Sequence, residues 1–220
     1  MLWNNHQELE GKHAFLGASQ FHWINWSDDL LVKRFFGQYS QEIGTAIHDL
    51  ANNCIKSLTT INENDVHLVE MWLNMNHIPK GAYDARAILM NLIPFVNDAI
   101  GFQMDSEVIL FYSYDCFGTT DAIVFDEKHK ILRIHDLKTG ITPAHMEQLY
   151  IYAALFYLEY FPRYKVKPSQ CTTILRLYQN CEITEQTTGE NLDPAVIEKY
   201  MQLIENRGNM VKELRRSTIK

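Results

Sequence analysis

No stretch of this chain has enough consecutive apolar residues to cross a bilayer. The longest runs, such as Ile151 to Phe156, fall far short of the roughly 20 a spanning helix needs. The opening segment, MLWNNHQELEGKH, has neither the basic region nor the apolar core of a secretory signal, so a cytoplasmic location and no membrane partner are expected. Cysteine is sparse. The four thiols, Cys54, Cys116, Cys171 and Cys181, include no C-x-x-C pair, which argues against a zinc ribbon; we read them as reduced and mostly buried. Positive charge is also short. Twenty Lys and Arg stand against 27 Asp and Glu, a net charge of −7, which counts against a surface coated for tight nucleic-acid binding but leaves room for a local basic groove, with Lys33, Arg34, Arg86, Lys165, Lys167, Arg176 and the basic tail over 212–220 as its candidates. No G-x-x-x-x-G-K-[ST] loop is present, so no built-in motor is expected. Internal repeats and low-complexity tracts are missing too.

What is present reads as a globular α/β chain. Hydrophobic residues make up 46% and charged residues 21%, and 220 residues suffice for one good core, so a single domain over 1–220 is expected. Residues 15–26, FLGASQFHWINW, are dense in aromatics and suit core packing or a stacking wall. Ser27 is the best cap for a following helix closed by Gly37. A second helix over 41–58 carries an apolar face of Ile43, Ile47, Leu50, Ala51, Cys54 and Leu58. Residues 62–101 read as a helical insertion, 64–76 and 83–100, broken at Pro79-Lys80-Gly81, with Pro94 placed to kink the second part. Strands are expected over 106–114, 117–125 and 130–138, and again over 171–178. A helix over 143–160 should start on Thr142-Pro143. Asn180 to Glu190 reads as a polar hairpin or loop, and a last helix should cover about 193–216.

The chain is organised around residues 118–138, two short apolar strands joined by the polar turn Asp126-Glu127-Lys128-His129. Side chains alternate along a strand, so Asp136 and Lys138 share a face with Leu137 on the other. If the strands pair as a hairpin, Asp121 lies near Asp136. Two carboxylates held close repel and want a cation between them. A hard divalent ion with oxygen ligands, Mg²⁺ or Mn²⁺, meets that need. A lysine beside it can hold or deprotonate a water. On the helices, Gly44 and His48 sit four apart on one side, as do Gln148 and Tyr152.

These pieces fall into four blocks, Gly44-Thr45-Ala46-Ile47-His48, Gly118-Thr119-Thr120-Asp121, Asp136-Leu137-Lys138 and Gln148-Leu149-Tyr150-Ile151-Tyr152. In that order they resemble the G-x-x-x-H, G-x-x-D, D/E-x-K and Q-x-x-x-Y blocks of the PD-(D/E)XK nuclease superfamily. The match is to its RecB-type and lambda-exonuclease-like branch and covers roughly residues 15–160. Leu16-Gly17-Ala18-Ser19 looks like the G-x-S block of that branch, with Ser19 as a phosphate contact. The middle acid departs from the commoner Glu. The resemblance implies a restriction-endonuclease-like α/β core, a central mixed sheet flanked by helices, with an N-terminal helical insertion bounding the substrate channel. It implies a metal held by His48, Asp121, Asp136 and the Leu137 carbonyl, with Lys138 acting on water and Gln148 and Tyr152 orienting it. Glu107 is a secondary candidate. The expected activity is Mg²⁺- or Mn²⁺-dependent DNA hydrolysis, exonucleolytic by family analogy, in recombination, repair or phage genome processing. No iron–sulfur cluster is expected. A single-strand-binding or recombinase partner, a homo-oligomer, a catalytically silent DNA-binding or scaffold protein of the same fold, and a hydrolase acting on RNA remain open from sequence.

Overall fold

Ser27 caps the first helix as its position suggests, its Oγ accepting from the Leu30 N–H at 3.3 Å at the start of α1 (Asp28–Gly37). In the computed structural model, which describes residues 6–9, 11–140 and 142–218, three more helices follow. Ile141, expected in the loop leaving the site, and the last two residues of the basic tail lie outside the described residues. The further helices are α2 (Ser40–Lys56), α3 (Val66–Met75) and α4 (Ala85–Gly101), the latter pair forming the helical insertion. The Asp84 carboxylate caps α4, and Pro94 sits within it without ending it.

Three antiparallel strands come next, β1 (Asp105–Ser113), β2 (Cys116–Asp126) and β3 (Ile131–Leu137). The turn joining β2 to β3 is held by Asp126, which accepts from the His129 N–H at 3.0 Å and meets its ring at 2.6 Å. A parallel neighbour needs a crossover, supplied by α5 (Glu147–Tyr164), which returns the chain to β4 (Thr172–Gln179) beside β3. β5 (Glu182–Thr187) pairs antiparallel with β4 through a two-residue turn. Asn180 and Cys181 take φ of 54° and 62° there, the backbone that short hairpin turns of this hand require. The sheet order is β1-β2-β3-β4-β5, and α6 (Pro194–Thr218) closes the fold. The architecture is α/β, a five-stranded mixed sheet flanked by helices.

Each sheet face carries a core. Ala122, Leu137 and Tyr178 pack with the apolar faces of α2, α3 and α4. Leu110, Ile123, Leu132, Ile134, Leu175 and Leu177 pack with α5 and α6. Central strand β3 is covered on both faces, so that His135 and Asp136 are buried along with its apolar residues.

Three expectations need correction. Helix α5 begins at Glu147, not Pro143. The Gln179 amide accepts from the Ala144 N–H and donates to the Gly140 and Thr142 carbonyls, so the segment is tied to β4 instead of winding into a helix. The aromatic segment forms a 3-10 stretch, Ala18–Asn25, with no buried residue; Phe21 and Ile24 are 58% and 66% exposed, so it is not core. Of the cysteines only Cys54 is buried, and Cys181 is exposed in its turn.

Two stability measurements follow. Leu110 is fully buried and its neighbour Ile109 is 58% exposed. Leu110→Ala should cost about 2–5 kcal/mol in urea unfolding, and Ile109→Ala less than about 0.5 kcal/mol. The His129 hydrogen bonds hold the Asp126 carboxyl below its usual range. A depressed folded-state pKa gives stability that is present above the unfolded value and lost as pH falls. An NMR titration should therefore show Asp126 titrating below an ordinary aspartate, and His129→Ala should move it part of the way back, because the backbone N–H bond at 129 survives the substitution.

Candidate active site

The register Ala122↔His135 and Ile123↔Ile134, continued by one residue, sets Asp121 across from Asp136. The ladder opens there. Asp121 Oδ2 accepts the Leu137 N–H at 2.7 Å, a bond a backbone carbonyl would otherwise take. Its other oxygen, Oδ1, faces His48 Nδ1 at 3.2 Å. His48 reaches the sheet from α2, whose opposite turns bury Ile47, Leu50 and Ala51. Gly44, one turn earlier, lies against Thr139; a Cβ there would stand 3.4 Å from Thr139 Oγ1. α2 thus runs close to the chain leaving β3.

Glu107 completes this group. Ligand atoms of His48, Glu107 and Asp121 all lie within 4.8 Å of one another. Glu107 sits in β1 with φ of 54°, a left-handed backbone that is strained for a side chain of this kind. Sequence marked Glu107 only as a secondary candidate, because nothing in its neighbours signals a left-handed residue within a strand. In the structure it stands closer to His48 and Asp121 than its secondary rank suggested.

Asp136 is buried behind them and turns toward Lys138. Lys138 Nζ donates to Asp136 Oδ1 at 3.1 Å and lies 2.9 Å from Oδ2, close enough for charge pairing but outside hydrogen-bond geometry. The same Nζ donates to Gln148 Oε1 at 2.7 Å, and Gln148 Nε2 donates to Tyr152 Oη at 2.9 Å. A continuous chain of four side chains thus runs from β3 to α5. Gly118 makes room for its end, since a Cβ there would stand 2.9 Å from Tyr152 Cε1. The Lys138 backbone N–H is held by the Tyr178 carbonyl of β4.

The electrostatics follow from crowding. Burial and the Asp121 charge push the Asp136 carboxyl up to about 6, against the pull of Lys138. Burial and Asp121 also raise Glu107. Burial lowers the His48 imidazole, but its bond to Asp121 and the charges of Asp121, Asp136 and Glu107 outweigh this and the net shift is upward. Burial raises the Tyr152 phenol and keeps it protonated, although the Gln148 bond pulls the other way. Such a site holds more negative charge than it can neutralise itself. Three carboxylates and one imidazole match what a small divalent cation takes as ligands.

Other sequence candidates lie elsewhere. Ser19 is exposed in the 3-10 stretch, and no hydrogen bond ties it to these residues. The basic residues do not share one groove. Lys33 and Arg34 line a groove of about 960 Å³ that also includes Ser40 and Thr142, Arg86 lies near Tyr83, and Lys167 beside α6. Arg176 is committed to Asp98 and Glu185.

No family model matches this chain, and no curated protein matches it. A solved structure described as the crystal structure of SSO0001 aligns with 73% of this chain and 84% of its own, at 14% identity and a TM-score of 0.29. A likeness that low carries no argument.

The contact between Gly118 and Tyr152 is directly testable. Gly118→Ala should cost about 1–3 kcal/mol in chemical unfolding by overpacking. In a Tyr152→Ala background the same substitution should cost almost nothing, because the ring it strikes is gone.

Proposed function

We propose that this chain is a divalent-metal-dependent deoxyribonuclease of PD-(D/E)XK type, with a restriction-endonuclease-like core, working on DNA ends in a cytoplasm. The observation that supports it most is convergence. His48, Glu107, Asp121, Asp136, Lys138, Gln148 and Tyr152 come from five elements spread over a hundred residues, and they meet in one place. Separate structural roles for these residues would not require that.

His48, Glu107 and Asp121, with Asp136 beside them, would hold Mg²⁺ or Mn²⁺, and the Leu137 carbonyl is the further oxygen that the family resemblance implies. When bound, the ion supplies Lewis-acid polarisation of a phosphoryl group and a lowered pKa for water beside it. The chain's own residues do the rest. A lysine has three N–H donors. Asp136 and Gln148 take two from Lys138, which leaves one for an attacking water or a phosphate oxygen. Gln148 fixes the Lys138 head group, and Tyr152 fixes Gln148. The protonated phenol keeps its own hydrogen to offer to a phosphate oxygen. The preference for exonucleolytic action, and for a role in recombination, repair or phage genome processing, rests on family resemblance.

The decisive test is digestion of 5′- and 3′-labelled single- and double-stranded DNA, with RNA alongside, in Mg²⁺ or Mn²⁺. Asp136→Ala and Lys138→Ala should each lower cleavage by about 10²–10⁴-fold with circular dichroism unchanged. Metal-dependent cleavage surviving in a clean Lys138→Ala preparation would falsify the assignment. Wild-type protein that binds DNA without cutting it would point to the silent scaffold instead. Cation at about 100 times its Kd should add about 2.7 kcal/mol of stability to the wild type, and little to Asp121→Asn.

A further inference from the structure

At the other end of β1 and β2 lies a second chemical cluster. Six residues of extended chain separate Glu107 from Ser113, about 20 Å at the usual rise. There the turn between the two strands faces the last turns of α6 across a cleft of about 530 Å³. Two contacts set the walls. Gly208 admits the Tyr112 ring, since a Cβ there would stand 2.8 Å from Tyr112 Cε1. Arg215 pairs with Asp115 and ties the end of the helix to the turn. Between these contacts the cleft is lined by Tyr114, Lys212 and Arg216.

Its lining combines two features that seldom share a surface by accident. Tyr114, in the lining, is 91% exposed, so a large ring is presented to water at the mouth of the cleft. Phe111 braces Tyr114 edge-on, with ring centroids 5.5 Å apart. Lys212 and Arg216 have no ion pair among the described residues. In a chain of net charge −7 this is a local basic surface. Cations at a helix C-terminus complement the helix dipole, but that does not account for the exposed Tyr114 ring on the facing turn. An exposed ring beside unpaired cations fits a strand of nucleic acid, whose bases stack on aromatic faces and whose phosphates meet the cations. A duplex does not offer its base faces in this way.

We propose that this cleft binds single-stranded DNA, with a base on Tyr114 and phosphates on Lys212 and Arg216. The proposal rests on the nuclease reading for the choice of DNA, and it adds an anchoring point about 20 Å from the acids.

The test is fluorescence anisotropy on the full chain, in chelator, with a labelled oligothymidylate of about 15 nucleotides. Tyr114→Ala should raise Kd by roughly 5–150-fold, the loss of one stacked base. Replacing both Lys212 and Arg216 with Ala should raise Kd and flatten the salt dependence by about 1.4 in log–log slope. Hydrolysis of a small phosphodiester such as bis(p-nitrophenyl) phosphate, too short to reach the cleft, should be unchanged in Tyr114→Ala. Unchanged oligonucleotide affinity in a folded Tyr114→Ala protein overturns the proposal. So does equal wild-type affinity for duplex DNA or for polyglutamate. If the wild type hydrolyses nothing but the Tyr114 and Lys212/Arg216 effects appear, the cleft stands and the nuclease reading falls.

Discussion

Three carboxylates crowded beside one imidazole at one end of a sheet desolvate and repel each other, and much of the surrounding fold serves to keep them there. Folding must hold Asp121, Asp136 and Glu107 together against burial and mutual repulsion, and the upward shifts of Asp136 and Glu107 record both, burial first and the Asp121 charge second. Only local pairing softens it. The Leu137 N–H and His48 satisfy Asp121, and Lys138 satisfies Asp136. What holds the acids in place is the apolar packing beneath them. Around Ala122 and Ile123 of β2, and along β3, both faces are covered, one by α2 to α4 and the other by α5 and α6. A strand fixed on both faces cannot slip by a residue, because slippage would send its apolar set to the wrong side. The register that sets Asp121 across from Asp136 is therefore secured by the cores, not by the acids themselves.

Helices add what the strands cannot. α2 brings the imidazole, and α5 brings an amide and a phenol that fix the lysine from the far side. The second approach depends on a glycine. Gly118 lets the Tyr152 ring lie on β2, whereas a Cβ at Gly44 would only touch Thr139. Glu107 reaches the group by a different route, a left-handed backbone inside a strand. Strain of this sort persists only where the surroundings over-determine it, and here it coincides with the most charged place in the fold.

Much of this was legible before any coordinates. Short apolar runs located β1, β2 and β3, and the polar turn between the last two was visible as Asp126 to His129. Spacing of four put His48 near Gly44 and Tyr152 near Gln148 on their helices. The start of α5 was misread because Thr142-Pro143 carries a good local signal, and a glutamine 37 residues away from Thr142 overrides it. The aromatic stretch at 15–26 suits core packing or a stacking wall on composition, which does not say what lies opposite. In the structure nothing covers it enough to bury it.

By itself the sequence determined the elements, their order and the chemical types available, because propensity, alternation and capping act over a few residues. Tertiary structure alone decided which of those types meet. It turned Glu107 toward His48 and Asp121, linked Lys138 to Tyr152 through Gln148, left Ser19 apart and set Tyr114 opposite the end of α6. Each of these depends on register, twist and close approach between segments distant in the chain, and these are set by how the two cores pack, which no local stretch of sequence encodes.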